Sequence, residues 1–246
     1  MDDIDFPDPR TGPDDMDLLA VSQFDIHGRQ VGPQVPVDWP KLTEFGSAWT
    51  AEVLMVAYRR GLFPMPFEID DQPVAIGWWS PQPRAIFHPD KIRVTRSLEK
   101  SSRRYRTTVD REFRRVVEAC GNPERPSGWI TSDVVDAYCE LHEQGVAHSV
   151  EVWTFAGELV GGLYGVEVGG IFAGESMFHT QPDASKVALL RVAKILNTQT
   201  TIDGQLRIID TQWLTDHLES LGATTILRSD YCDLVASLAE VPTAFL

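Results

Sequence analysis

Residues 171–178 read IFAGESMF, a β-strand pattern with one carboxylate, Glu175, near its centre. Strict two-residue alternation puts Ile171, Ala173 and Met177 on the face of Glu175, so an ionised side chain would project among apolar neighbours. A buried, unpaired carboxylate is costly, and the group then needs a partner, a raised pKa or a ligand. The plainer alternative is a strand-end glutamate facing water. In RIIDTQWL, Asp210 and Gln212 stand two residues apart, which directs both side chains to one face of a strand. A carboxylate beside an amide fixes the amide's orientation and enriches its carbonyl as an acceptor. That chemistry suits holding an amine and helping to deprotonate it; a polar pair at a strand end is again the plainer reading. Ser176 follows Glu175, but GESM is not the GxSxG elbow and no histidine is placed to activate it. His217, five residues beyond Gln212, reads as structural.

The elements that must position these residues follow from pattern and punctuation. The stretch 148–178 holds three strand-like runs with turns at Ala156-Gly157 and Gly169-Gly170, which predicts an antiparallel meander. A helix follows from about Asp183, a candidate N-cap, with apolar residues around most of its circumference between Val187 and Leu196. Then come the strand of Asp210 and Gln212, the helix TDHLESLGA and a short strand at TTILR. Upstream, Thr50 caps a helix that Gly61 ends, and 110–120 and 131–144 are helical patterns that each close on glycine. Proline density makes 62–89 irregular backbone with short extended pieces, and a loop carries Trp129. The element order predicts an α+β sheet like that of the acyl-CoA N-acyltransferases (GNAT-like) with flanking helices, plus a small N-terminal domain. The expected divisions are an acidic, largely irregular arm over 1–40, the small domain over 41–90, and the catalytic domain over 91–246.

Composition bounds the function. The 246 residues are 43% hydrophobic and 24% charged, as in soluble globular proteins. No apolar run approaches the ~20 residues that span a bilayer, and MDDIDFPDPR has the pattern of no signal peptide, so the expected location is the cytoplasm. Three cysteines without a CxxC pair and six scattered histidines give no disulfide framework and no metal site. The net charge of −14 argues against a broad nucleic-acid-coating surface, yet residues 91–115 carry ten Lys or Arg against three acids. A local basic patch on an acidic protein fits a grip on phosphates beside an acidic site for a cationic substrate; a solvated charged face is the alternative.

The motifs AYRRGLFPMP, GWWSPQPRAIF, GWITSDVVDAYCELHEQGVAHSVEVW, ELVGGLYGV, FAGESMFHTQPDASKVAL and IIDTQWLTDHLESLGA resemble, in order and spacing, the leucyl/phenylalanyl-tRNA–protein transferases. The resemblance covers about residues 40–232. It implies transfer of leucine or phenylalanine from its tRNA ester to the α-amine of proteins beginning with Arg or Lys, marking them for N-degron degradation. It implies Leu-tRNA or Phe-tRNA and such proteins as partners, no membrane and no cofactor, since the aminoacyl ester is already activated.

Carried over by matched position, the resemblance makes Glu175 the acceptor of the aminoacyl α-ammonium, and Asp210 and Gln212 the relay that engages the acceptor amine. Leu163, Phe172, Met177, Leu189 and Ile209 become the apolar side-chain pocket. Alternation sets Phe172 opposite Glu175 and Ile209 opposite Asp210, so this requires splayed or bulged strands. Trp129 matches a platform for the terminal adenosine of the tRNA. Met65 stands where the family carries a tryptophan, so that part of the adenosine clamp is either lost here or replaced by Met65, Trp78 or Trp79. Val192 stands where a larger aromatic occurs. Arg96, Lys100, Arg103 and Arg104 are the expected phosphate contacts. Two other functions stay open on sequence alone: an acyl-CoA-dependent N-acyltransferase, although HTQPDAS is no pyrophosphate-binding turn, and a non-catalytic tRNA- or peptide-binding module.

Overall fold

A computed structural model describes residues 6, 8–12, 17–25, 50–69, 72–122 and 130–245. Strand β1 (Leu18–Asp25), helix α1 (Ala51–Arg59), and strands β2 (Phe63–Ile69) and β3 (Gln72–Trp79) come first; the strands pair in the order β1-β3-β2. Next are β4 (Arg84–Phe87), α2 (Arg96–Ser102), β5 (Tyr105–Val109), α3 (Phe113–Cys120) and α4 (Ser132–Glu143). The meander β6 (Ala147–Thr154), β7 (Leu159–Val168) and β8 (Ile171–His179) leads to α5 (Ala184–Asp203), β9 (Ile208–Gln212), α6 (Asp216–Ser220), β10 (Thr224–Ile226) and α7 (Arg228–Leu238). A seven-stranded sheet runs β10-β4-β9-β8-β7-β6-β5, antiparallel throughout except for the β8–β9 pair. A meander, a helix and a returning parallel strand make this the α+β arrangement that the sequence predicts.

Local chemistry accounts for the helix ends. Thr50 Oγ1 accepts from the Val53 N–H at 3.2 Å, and Gly61 takes φ +80° just past α1, a conformation that a side chain would strain. Asp183 occupies the N-cap position of α5 but does not cap it. Its backbone is left-handed, and its carboxylate accepts instead from Ser101 Oγ at 2.7 Å and Lys186 Nζ at 2.9 Å.

Some expected irregular segments are ordered. Residues 62–89 carry β2, β3 and β4; β2 tolerates Pro64 and Pro66 because it is an edge strand, where a missing N–H breaks no ladder. β4 belongs to the larger sheet, and within the acidic arm residues 18–25 form β1 against β3. Helices α2 and α7 are additions to the elements read from the sequence.

The sheet is covered on both faces. α1, α3 and α4 pack with Tyr164, Val166, Ala173 and Phe178 on one side. On the other, α5 buries Val187, Ala188, Leu189, Val192 and Leu196 against Val150, Leu163, Phe172 and Ile209. α7 covers Ile86, Ile171 and Ile208 through Tyr231, Val235 and Leu238. No helix among the described residues is long and apolar enough to cross a membrane.

Candidate active site

The parallel strands β8 and β9 stay paired for only three positions, Ile171↔Ile208, Phe172↔Ile209 and Ala173↔Asp210. Beyond Ala173 the ladder stops: β8 runs on beside β7, and β9 runs on beside β4. The strands part there, and the mouth of the cleft falls at Gly174, Glu175, Thr211 and Gln212.

A β-bulge sits on each lip. Against β7, Gly165 pairs with Gly174 and Tyr164 with Ser176, so Glu175 is the extra residue. Against β4, Ile86 pairs with Asp210 and Ala85 with Gln212, so Thr211 is extra, and Gln212 takes φ +60°. The bulge at Glu175 overturns strict alternation. Met177, predicted to share a face with Ile171 and Ala173, lies beyond the bulge and packs instead with the cluster of α5. Phe172 and Met177 come to the same side, with Leu163, Leu189 and Ile209. Gly165 permits this close register: a Cβ there would lie 2.3 Å from the Ala173 carbonyl oxygen and 2.7 Å from the Phe172 ring.

Glu175 is partly buried, and one of its oxygens is tied to two tyrosines. Tyr138 donates to Oε2 at 3.0 Å and shares a 2.7 Å hydrogen bond with Tyr58. The other oxygen, Oε1, is buried without a hydrogen-bond partner among the described residues. Burial pushes the carboxyl up from 4.5 to about 7; the tyrosine hydrogen bonds pull it down, the charge of Asp210 raises it and that of Arg84 lowers it. Tyr58 and Tyr138 are themselves held well above the ordinary tyrosine value, by burial first and then by Glu175, so they act as donors.

Asp210 departs from its expected partnership. It is fully buried, and Arg84 forks onto it with Nε to Oδ1 at 2.7 Å and Nη2 to Oδ2 at 2.6 Å. Tyr231 donates to Oδ2 at 3.0 Å, and Oδ1 accepts the backbone N–H of Gln212, also at 3.0 Å. The carboxylate therefore fixes the Gln212 turn through its main chain, whereas a contact to the side-chain amide was expected. Gln212 Nε2 is buried without a partner among the described residues. Arg84 is itself buried, sandwiched between the Phe63 and Tyr231 rings with its Cζ 4.9 and 4.3 Å from their centroids. Sequence reading missed Arg84, Tyr231, Tyr58 and Tyr138, whose partners lie tens of residues away along the chain.

Leu163, Glu175, Met177, Leu189, Ile209 and Gln212, with Gly174, Ser176, Thr211 and Leu218, line a cavity of about 150 Å³. An apolar cavity of about that size can hold benzene. Four of the five expected pocket residues face it; Phe172 lies behind them, fully buried and stacked on Phe245 at 5.1 Å. Val192 is buried in the same cluster.

The remaining candidates are distributed differently. Trp129 lies outside the described residues. Met65, on β2, packs partly buried against the cluster of α1, and its carbonyl accepts from Trp79 Nε1 at 3.0 Å; Trp78 is fully buried. Arg96, Lys100, Arg103 and Arg104 are exposed at and just beyond α2. Arg103 pairs with Glu99 at 2.8 Å, and Arg104 donates to Ser101 Oγ at 2.6 Å. His217 is largely exposed; the partial burial of its ring, then the charges of Lys186 and His179, lower its pKa. No group of three or more His, Cys, Asp or Glu among the described residues is arranged to hold a metal.

Comparison with known proteins is consistent in both halves of the chain. Residues 86–236 match the family model for leucyl/phenylalanyl-tRNA protein transferase, and 49–82 match that of its N-terminal domain. A leucyl/phenylalanyl-tRNA–protein transferase of Azoarcus sp. (strain BH72) is 46% identical over 191 residues, covering 76% of this chain and 77% of the relative. One from Shewanella woodyi is 44% identical over 195 residues, 78% of each. Among solved structures, a GCN5-related N-acetyltransferase-like protein from Streptococcus suis superposes with a TM-score of 0.32 at 13% identity, over 72% of this chain and 64% of that one.

Proposed function

The chain belongs to the leucyl/phenylalanyl-tRNA protein transferase family, and from that membership we propose how its cleft works. It is an aminoacyltransferase, and the β8/β9 cleft takes the leucyl or phenylalanyl group of an aminoacyl-tRNA and passes it to the α-amine of a protein beginning with Arg or Lys. The observation that carries this reading is the pairing of two buried, unpartnered polar atoms, Glu175 Oε1 and a terminal atom of the Gln212 amide, in residues that line one apolar cavity. Buried polar groups are rarely left unsatisfied, and the α-ammonium of an aminoacyl group at Glu175 with a second amine at Gln212, once its amide is turned, would satisfy both.

In this reading Glu175 receives the α-ammonium of the aminoacyl ester, and the side chain enters the cavity among Leu163, Met177, Leu189 and Ile209. Apolar shape discriminates weakly between similar side chains, which favours acceptance of both leucine and phenylalanine. The amide of Gln212 exchanges its O and N positions by a half-turn, and the carbonyl then accepts a hydrogen from the incoming amine. Asp210 acts at one remove, by holding the Gln212 backbone. The neutral amine attacks the ester carbon, a C–N bond forms, the C–O bond to the terminal ribose breaks, and the amine proton leaves with that oxygen. The ester supplies the driving force, so neither nucleotide nor metal is needed; alignment of the two reactants is the main contribution of the protein. The protein works in the cytoplasm, and its products are marked for degradation.

The test is mass spectrometry of an Arg-initiated peptide after incubation with the protein and Leu-tRNA, with Phe-tRNA and acyl-CoA in parallel. The expected result is a gain of one leucyl or phenylalanyl residue. Modification by acyl-CoA alone, or by none of the donors, overturns the reading.

A further inference from the structure

The basic segment 91–115 does not end at α2. It continues around the edge strand β5 onto the opposite face of the sheet, where Arg106, Arg111 and Arg115 line a concavity of about 520 Å³ with Thr108 and Trp153. Tyr105 of β5 is buried with the α5 cluster, so its neighbour Arg106 projects to the side of α3. The three guanidiniums are exposed, and Arg106 and Arg111 make no ion pair among the described residues; Arg115 has a 3.7 Å pair with Glu112. On a protein of net charge −14, such a cluster is not the average surface.

The frame around these arginines is fixed from below. Arg115 lies over Trp153, with its Cζ 5.8 Å from the ring centroid, and Trp153 Nε1 donates to Thr108 Oγ1 at 2.8 Å. Thr108 in turn donates to the buried Glu151 carboxylate, which also accepts from Ser149 Oγ and the Glu112 N–H. Arg106 sits 5.7 Å from the ring of Phe155, which is 66% exposed at the rim. The charges are thus presented on a braced surface.

We propose that this concavity is a contact for the phosphates of the tRNA body, separate from the β8/β9 cleft and from α2. It rests on the aminoacyl-tRNA reading above. β5 lies three strands from β8, a lateral separation of about 14 Å at the usual strand spacing. A donor whose ester lies in the cleft reaches β5 only if it is long, polyanionic and able to pass around a sheet edge. A polynucleotide meets those requirements; an aminoacyl group with one nucleoside does not. The α2 cations lie on the α5 side of β5 and the new cluster on the α3 side, so a tRNA would be gripped on both sides of that edge.

The experiment uses the full chain and the double variant Arg106→Gln/Arg111→Gln, both exposed positions. Binding of Leu-tRNA is measured against salt, and transfer is measured from intact Leu-tRNA and from a leucyl ester of a short 3′-terminal tRNA oligonucleotide. The expected results are a slope of log Kobs against log salt that falls by about 1.5 to 2, and a roughly tenfold higher KM for intact tRNA at unchanged kcat. Transfer from the short ester should not change. An unchanged slope and KM overturn the proposal, as does an equal loss with the short ester. Competitive binding of inorganic phosphate or pyrophosphate to the wild type, lost in the variant while the tRNA slope stays the same, also overturns it by showing a small-anion site. If wild-type protein binds Leu-tRNA but transfers leucine from neither donor, the proposed function fails, while the salt slope still decides this contact.

Discussion

Replacing Glu175 by glutamine separates the cost of the site from its use. The amide keeps the shape of the carboxylate: its oxygen can accept from Tyr138 as Oε2 does, and its nitrogen takes the place of the unpartnered Oε1. In the wild type, burial lifts the carboxyl from 4.5 to about 7, so the folded protein binds that proton more tightly than the unfolded chain. The stability linked to this group is fully present below pH 4.5, falls as pH rises, and is lost above about 7. The difference corresponds to at most roughly 3 kcal/mol, a ceiling because the carboxylate is only partly buried. At about 2–4 °C per kcal/mol for a chain of this size, Glu175→Gln should raise Tm by up to roughly 6–12 °C at pH 8. At pH 5, where the carboxyl is already protonated, it should change little. Transfer should move the opposite way. A charged hydrogen bond to the α-ammonium is worth about 1.5–3 kcal/mol, so kcat/KM for Leu-tRNA should drop about 10- to 150-fold. Differential scanning calorimetry at the two pH values, with single-turnover transfer at pH 8, checks both halves. A variant equally stabilised at both pH values would refute the linkage argument, and one that transfers at the wild-type rate would refute the ammonium site.

Asp210→Ala should cost about 3–5 kcal/mol of stability, because it strands the buried Arg84 guanidinium; urea unfolding reads this, and a shift below 1 kcal/mol would contradict it. Leu163→Ala should widen the side-chain cavity, at a cost of about 2–5 kcal/mol in folding stability, and raise the Phe:Leu ratio of kcat/KM about tenfold. Competition between the two charged tRNAs measures it, and an unchanged ratio would remove Leu163 from the specificity wall. Asp17, in the acidic arm, accepts from Trp213 Nε1 at 2.7 Å and from the Gln82 N–H at 2.9 Å, directly beside the Gln212 turn. Asp17→Ala should therefore lower kcat about tenfold with tRNA binding intact, for the loss of two part-buried hydrogen bonds worth about 1–3 kcal/mol together; an unaltered kcat would show that the arm does not brace the turn.

Much of this was legible from the chain alone because it depends on neighbours in sequence. The meander 148–178, the helix after Asp183 and the cap at Thr50 follow from period, turn residues and a hydroxyl three positions from an N–H. The suspicion attached to Glu175 also came from local pattern, and the family resemblance added the need for splayed or bulged strands, because alternation sets Phe172 opposite Glu175 and Ile209 opposite Asp210. The tertiary structure decided which residue bulges, because that depends on the strand across from it: Gly165 and Tyr164 set the register that leaves Glu175 unpaired. It also decided the partners of the buried charges. Arg84 meets Asp210 across 126 residues and Tyr138 meets Glu175 across 37, contacts for which spacing carries no signal. Local sequence fixes backbone periodicity through short-range sterics and hydrogen bonds, whereas the charge balance of a cleft depends on what chain folding brings alongside it.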